Sequence, residues 1–85
     1  MSQEEFYRTS DLGLAAYLVY KGMTLLGPVA TQDPKRHALF FVDTDERERF
    51  VFDYMNNATK VDARRYSRCA HKVARELRNP LVKED

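Results

Sequence analysis

The chain has 85 residues with a net charge of +1, and hydrophobic residues make up 44% of it, enough for one core and one domain. A single cysteine, Cys69, excludes an internal disulfide scaffold and fits a reducing compartment. The opening MSQEEFYRTS is acidic and polar, unlike a secretory signal, and the uncharged run Leu12–Tyr20 is too short to span a bilayer. A cytoplasmic protein with no membrane partner is expected, and the sequon Asn57-Ala58-Thr59 then has no glycosylating compartment to act in.

The elements follow in order. A short extended segment, Phe6 to Thr9, leads into a first helix over DLGLAAYLVYK, residues 11–21. Thr9, Ser10 and Asp11 supply capping oxygens, and Gly22 supplies the stop. At about 100° per residue, Leu12, Ala15, Ala16 and Val19 share one face, with Leu14 and Leu18 on the other. A helix apolar nearly all round is buried on more than one side, as a central helix or a subunit contact. Taking Leu14 and Leu18 as exposed on a small domain, a homodimer is expected through this helix or through the Gly27-Pro28 edge.

MTLLGPVAT and HALFFV read as two strands joined by a turn at Thr31–Arg36, around Asp33-Pro34, as an antiparallel hairpin. Gly27-Pro28 inside the first predicts a bulge or an edge position, since proline has no N–H for the ladder. A second helix, residues 45–57, carries an apolar stripe of Phe50, Val51, Tyr54 and Met55, with Phe52 to one side. Its leader, DTDERE, is a carboxylate cluster without the spacing of an EF-hand loop. Capping by Asp43 to Asp45, with Asp45 and Glu48 as a capping box, is the expected role. Asp62 caps a third helix that Asn79-Pro80 stops, and residues 79–85 are expected to form a flexible tail. The order (β)αββαα predicts a small single α+β domain, an antiparallel hairpin packed against helices. Leu12, Leu18, Leu25, Phe40, Phe50, Tyr54, Tyr66, Val73 and Leu77 are the expected core.

The third helix carries the chemistry of interest. Tyr66, Cys69, Ala70, Val73 and Leu77 fall within roughly 100° of arc and form the buried seam. Arg64, Arg68, His71, Lys72, Arg75 and Arg78 occupy the opposite half, with Arg65 beside them. Residues 60–78 carry a net charge of +5 while residues 1–59 carry −3, so one segment holds the positive charge. A solvated face normally mixes signs, yet Glu76 is the one acid after the cap. Arginine outnumbers lysine five to one across Asp62–Arg78, and its planar fork suits phosphate and base edges. Nucleic acid, duplex by preference, is the leading expected partner, with Arg64, Arg65, Arg68, Lys72, Arg75 and Arg78 as the contact residues. Arg8 or Arg36 could extend the stripe. An acidic protein surface fits the same residues, and a solvated helix back is the third reading.

Other chemistry finds no footing in the sequence. Cys69 and His71, two apart on a helix, point to different sides, and His37 adds too few soft ligands for a zinc site. Three glycines never cluster into a phosphate-cradling loop. A non-enzymatic binding module without metal or cofactor is therefore expected.

Tyr7-x-Thr9-x-Asp11-Leu12-x-Leu14-Ala15-Ala16, then Lys21-Gly22, then Val61-Asp62-Ala63-Arg64, resemble a family of small phage and bacterial proteins catalogued as a domain of unknown function. The resemblance covers most of the chain and implies a similar fold and a phage or prophage origin. It brings no catalytic residues. By analogy with small phage proteins that bind a host machine, it implies a protein-binding regulator or inhibitor as the alternative function.

Overall fold

The computed structural model describes residues 5–30 and 37–78, with the side chains of Val29, Ala30, His37 and Arg78 also outside the description. The expected turn at Thr31–Arg36, Arg36 as an extension of the basic stripe, and the tail at 79–85 all fall outside the described residues. The fold is α+β: β1 (Phe6–Thr9), α1 (Leu12–Tyr20), β2 (Leu25–Ala30), β3 (His37–Val42), α2 (Arg47–Met55) and α3 (Ala63–Arg78). The three strands form one antiparallel sheet in the order β1-β3-β2. The hairpin expected from sequence is present, and the extended leader becomes a full strand on its far side.

Local chemistry sets the boundaries of α1. Asp11 is the N-cap, and its Oδ1 accepts the Leu14 N–H at 3.1 Å. The Thr9 hydroxyl accepts the Asp11 N–H in turn. At the other end Gly22 has φ +97°, and the Gly22 and Met23 N–H groups donate back to the Val19 and Leu18 carbonyls. That is a Schellman closure, which needs a residue tolerant of positive φ at Gly22. Asn57, with φ +56°, closes α2 in the same way, its neighbour Ala58 donating to the Asp53 carbonyl.

α1 is the centre of the molecule. Five consecutive residues, Leu14 to Leu18, are buried, and four steps of about 100° between them cover every direction around the axis. The sheet lies on one side of α1, α3 on another and α2 on its flank. Leu14 is 1% exposed and Leu18 0%, so the expectation that they face solvent is overturned, and with it the ground for a dimer through this helix. Leu12 is 49% exposed, a correction to its place in the predicted core. It sits at the first helical position, beyond the neighbours that cover the later turns.

Leu39 and Phe41 of β3 point to the helices, where they join Leu14, Ala15, Ala16, Leu18, Met23 and Val73 in the core. Strand parity then sends Phe40 to the outer face, a second correction; there its ring stacks on Phe6 with centroids 5.4 Å apart. Leu25, Phe50, Tyr54, Tyr66 and Leu77 are half-buried and pack against the core as expected. β2 is an edge strand with its register shift between Leu25 and Gly27, so the bulge and the edge position predicted at Gly27-Pro28 both occur.

α2 departs furthest from expectation. It begins at Arg47 with Glu46 as N-cap, and no side chain caps it, so the Asp45–Glu48 capping box does not form. Asp43 is engaged elsewhere. Its carboxylate takes the Thr44 N–H and, with both oxygens, the Arg47 guanidinium at 3.0 and 3.1 Å. Arg47 lies 4.5 Å from the Tyr7 ring centroid, so ring, guanidinium and carboxylate tie β1 to the start of α2. The hydrogen bond from Arg47 holds the Asp43 carboxyl below its ordinary range, against the opposing effect of burial. Met55, expected in the stripe, is 59% exposed, and Phe52 is 65% exposed. α2 lies on the rim and has no fully buried residue.

Candidate nucleic-acid interface

α3 has 16 residues and is about 24 Å long. Val73 is buried in the core cluster with Leu14, Leu39 and Phe41, and Tyr66, Ala70 and Leu77 pack against that cluster. Cys69 is half-buried in the same seam. The predicted inward turn of Tyr66 is present: its hydroxyl donates to the Gly13 carbonyl at 2.9 Å and locks α3 across α1. Burial first, then the charge of Asp11, raises its pKa. Tyr54, from α2, reaches the same place, and burial followed by the Asp11 charge raises its pKa as well.

With the seam fixed, the opposite side of α3 is dictated by geometry. Arg64, Arg65, Arg68, His71, Lys72 and Arg75 are all exposed. On a regular helix they cover a contiguous sector of roughly 120°, and no carboxylate stands within it. Glu76 flanks the sector and is half-buried. Arg64 and Arg75 are eleven residues apart, so the basic surface runs about 16 Å along the axis. Arg78 belongs to the helix, and its side chain falls outside the described residues.

The acids of the α2 leader do not neutralise this face. Among the described residues the one ion pair is Arg47 with Asp43, and Asp45 and Glu48 are exposed without a cationic partner. Arg8 does not extend the stripe. It alternates with Tyr7 and Thr9 on β1, opposite Phe40, and is exposed on the face of the sheet turned away from the helices.

No sequence pattern announces the aromatic framework at one border of the basic sector. The Arg65 guanidinium lies 4.6 Å from the Tyr20 ring centroid, and the Tyr20 hydroxyl accepts the Asp62 N–H at 2.8 Å. Tyr20 stacks on Tyr17 at 6.4 Å, and the Lys21 ammonium stands over the Phe50 and Tyr17 rings at 5.4 and 6.0 Å. Burial, then the Asp53 charge, raises the pKa of Tyr17. These partners are 40 or more residues apart in the cases of Tyr20 with Asp62 and Arg65, and no periodicity encodes them.

Cys69 and His71 diverge, one in the seam and one on the exposed side. Among the described residues no group of three His, Cys, Asp or Glu side chains converges on a metal position. No described helix is long and apolar enough to cross a membrane.

No curated protein and no solved structure matches this chain. A family model does, over residues 4–79. That span contains every element and the whole of α3, and the chain accordingly belongs to the family described as Domain of unknown function (DUF5659).

Proposed function

We propose that the domain binds nucleic acid, duplex in preference to single strand, through Arg64, Arg65, Arg68, Lys72, Arg75 and Arg78 of α3. The observation that carries the proposal is the exposed, acid-free basic sector of that helix, without an ion pair among the described residues. Charged side chains left exposed with one sign alone repel one another and gain from a polyanion that releases its counterions. Tyr66 is turned inward and no other aromatic residue lies within the sector, so bases have no ring to stack on there. A duplex backbone suits such a surface.

The test is a titration with DNA and RNA duplexes at low salt. If about four phosphates are neutralised, affinity falls roughly 100-fold between 50 and 200 mM salt. Arg68→Ala and Arg75→Ala each weaken binding, make the salt slope shallower by about one unit, and shift stability by less than about 0.5 kcal/mol. No binding at low salt would overturn the proposal.

A second reading, a phage-type regulator or inhibitor that binds a host protein in the host cytoplasm, is favoured by a different observation. Phe52 and Met55 stand three residues apart on α2, 65% and 59% exposed, and aromatic and methionine side chains are enriched at interfaces. A nuclease-resistant complex that is lost with Phe52→Glu and kept with Arg68→Ala would favour it. A homodimer now has the β2 edge as its candidate contact. A monomeric mass in light scattering at high concentration counts against the dimer.

A further inference from the structure

Among the described residues two arginines lie over tyrosine rings, and they differ in their other partners. Arg47 has the Tyr7 ring on one side and both oxygens of Asp43 on its N–H donors, and it is half-buried. Arg65 has the Tyr20 ring and no carboxylate partner among the described residues, and it is exposed. A ring occupies one face of the guanidinium plane and leaves the in-plane donors and the charge unsatisfied. Lys21 repeats the pattern: it is exposed, held over Tyr17 and Phe50, and has no carboxylate partner among the described residues. Lys21 ammonium, Tyr17 ring, Tyr20 ring and Arg65 guanidinium thus form one row from the end of α1 to the start of α3.

We propose that Lys21 and Arg65 form a second phosphate-contacting arm, so that a nucleic-acid duplex lies across α3 and the C-terminal end of α1 rather than along α3 alone. This rests on the nucleic-acid reading of α3. Both cations are already ordered by their rings, so less side-chain freedom is lost when an anion arrives. Arg65 sits at the border of the α3 sector and joins the two arms. Asp53, whose charge acts on Tyr17, and Asp62, whose backbone N–H donates to the Tyr20 hydroxyl, are neighbours of the row, and a negative charge near it opposes an incoming anion. A lysine at a helix C-terminus also complements the macrodipole, a structural role that the experiment separates from phosphate contact.

The experiment is a fluorescence titration of the full chain against a labelled DNA duplex over a range of salt concentrations. Lys21→Gln and Arg65→Gln are each expected to weaken binding severalfold and to make the salt slope shallower by about one unit. Lys21→Arg restores both, and Asp53→Asn tightens binding. Arg8→Gln, on the opposite face of the sheet, leaves affinity and slope unchanged. Absence of binding by the unmodified chain overturns the reading of α3 and this inference with it. Weakening by Arg68→Ala and Arg65→Gln without any change in Lys21→Gln or Asp53→Asn overturns the second arm alone, since Arg65 also belongs to the α3 sector. Equal weakening by Arg8→Gln would reduce the effect to net charge and overturn the arm as well. Tighter capture of polyglutamate than of duplex, with the same dependence on Lys21, would overturn the choice of nucleic acid.

Discussion

Gly13 stands where α1, α2 and α3 meet. A β-carbon added there would fall on the Tyr54 hydroxyl, while the Gly13 carbonyl accepts the Tyr66 hydroxyl. The residue is absent of side chain for want of volume, since alanine would otherwise favour the helix by up to about 1 kcal/mol. Overpacking costs about 1–3 kcal/mol, so Gly13→Ala should destabilise by roughly 1 kcal/mol. In a Tyr54→Phe background the hydroxyl is gone and the same substitution should become neutral or stabilising, a non-additivity that urea denaturation of the four proteins reads directly. Tyr66→Phe removes the hydrogen bond to Gly13 and should cost about 0.5–1.5 kcal/mol. The tyrosines also fix a pH dependence. Tyr17, Tyr54 and Tyr66 have pKa values raised above 10.0, first by burial, so the folded state retains their protons longer than the unfolded chain does. Their contribution is complete below the unfolded value and is lost as pH climbs through it toward the folded values. Denaturation midpoints should therefore drop from pH 9 upward through pH 11, and less steeply in Tyr66→Phe.

At the level of elements, the parts legible in the sequence are those decided within a few residues. Asp11, Gly22 and Asn57 close helices through partners three to five positions away, and each is recognisable by residue type. The run Leu39-Phe40-Phe41 was not legible, because alternation has no phase when three successive residues are apolar. Which of them faced inward was settled by helices that cover one side of the sheet. The same holds for α1, where a helix apolar all round gives no face to choose and position along the axis decides instead. Leu14→Ala should cost about 2–5 kcal/mol while Leu12→Ala stays within about 0.5 kcal/mol, and the two denaturation midpoints measure the contrast. Capping of α2 by Asp43 failed for a related reason. Asp43 is drawn to Arg47, and Arg47 to Tyr7 on a distant strand.

Over the whole molecule, a layer of helices on a single sheet accounts for the extents of 41 × 38 × 20 Å. The helical layer and the outer face of the sheet are two unlike surfaces. One presents α3 and its basic sector; the other presents the stacked Phe6 and Phe40, with Arg8 across from Phe40. The basic sector was legible in the sequence as a half-turn pattern on one helix. The row from Lys21 to Arg65 was not, since it is assembled by the crossing of α1 and α3.

The strand order β1-β3-β2 has a kinetic consequence. Phe6 pairs with Val42 and Tyr66 bonds to Gly13, so the first strand and the central helix each wait for partners far along the chain. Much of the native contact map is thus non-local, and closing long loops before any reward slows folding relative to helical bundles of similar size. During synthesis α1 emerges early, and the core around Leu14 and Leu18 is not closed until α3 arrives with Val73. A chain truncated after Asp62 should show neither cooperative unfolding nor dispersed amide resonances. Adding residues 63–78 as a separate peptide should restore both, if docking of the last helix is the step that completes the fold.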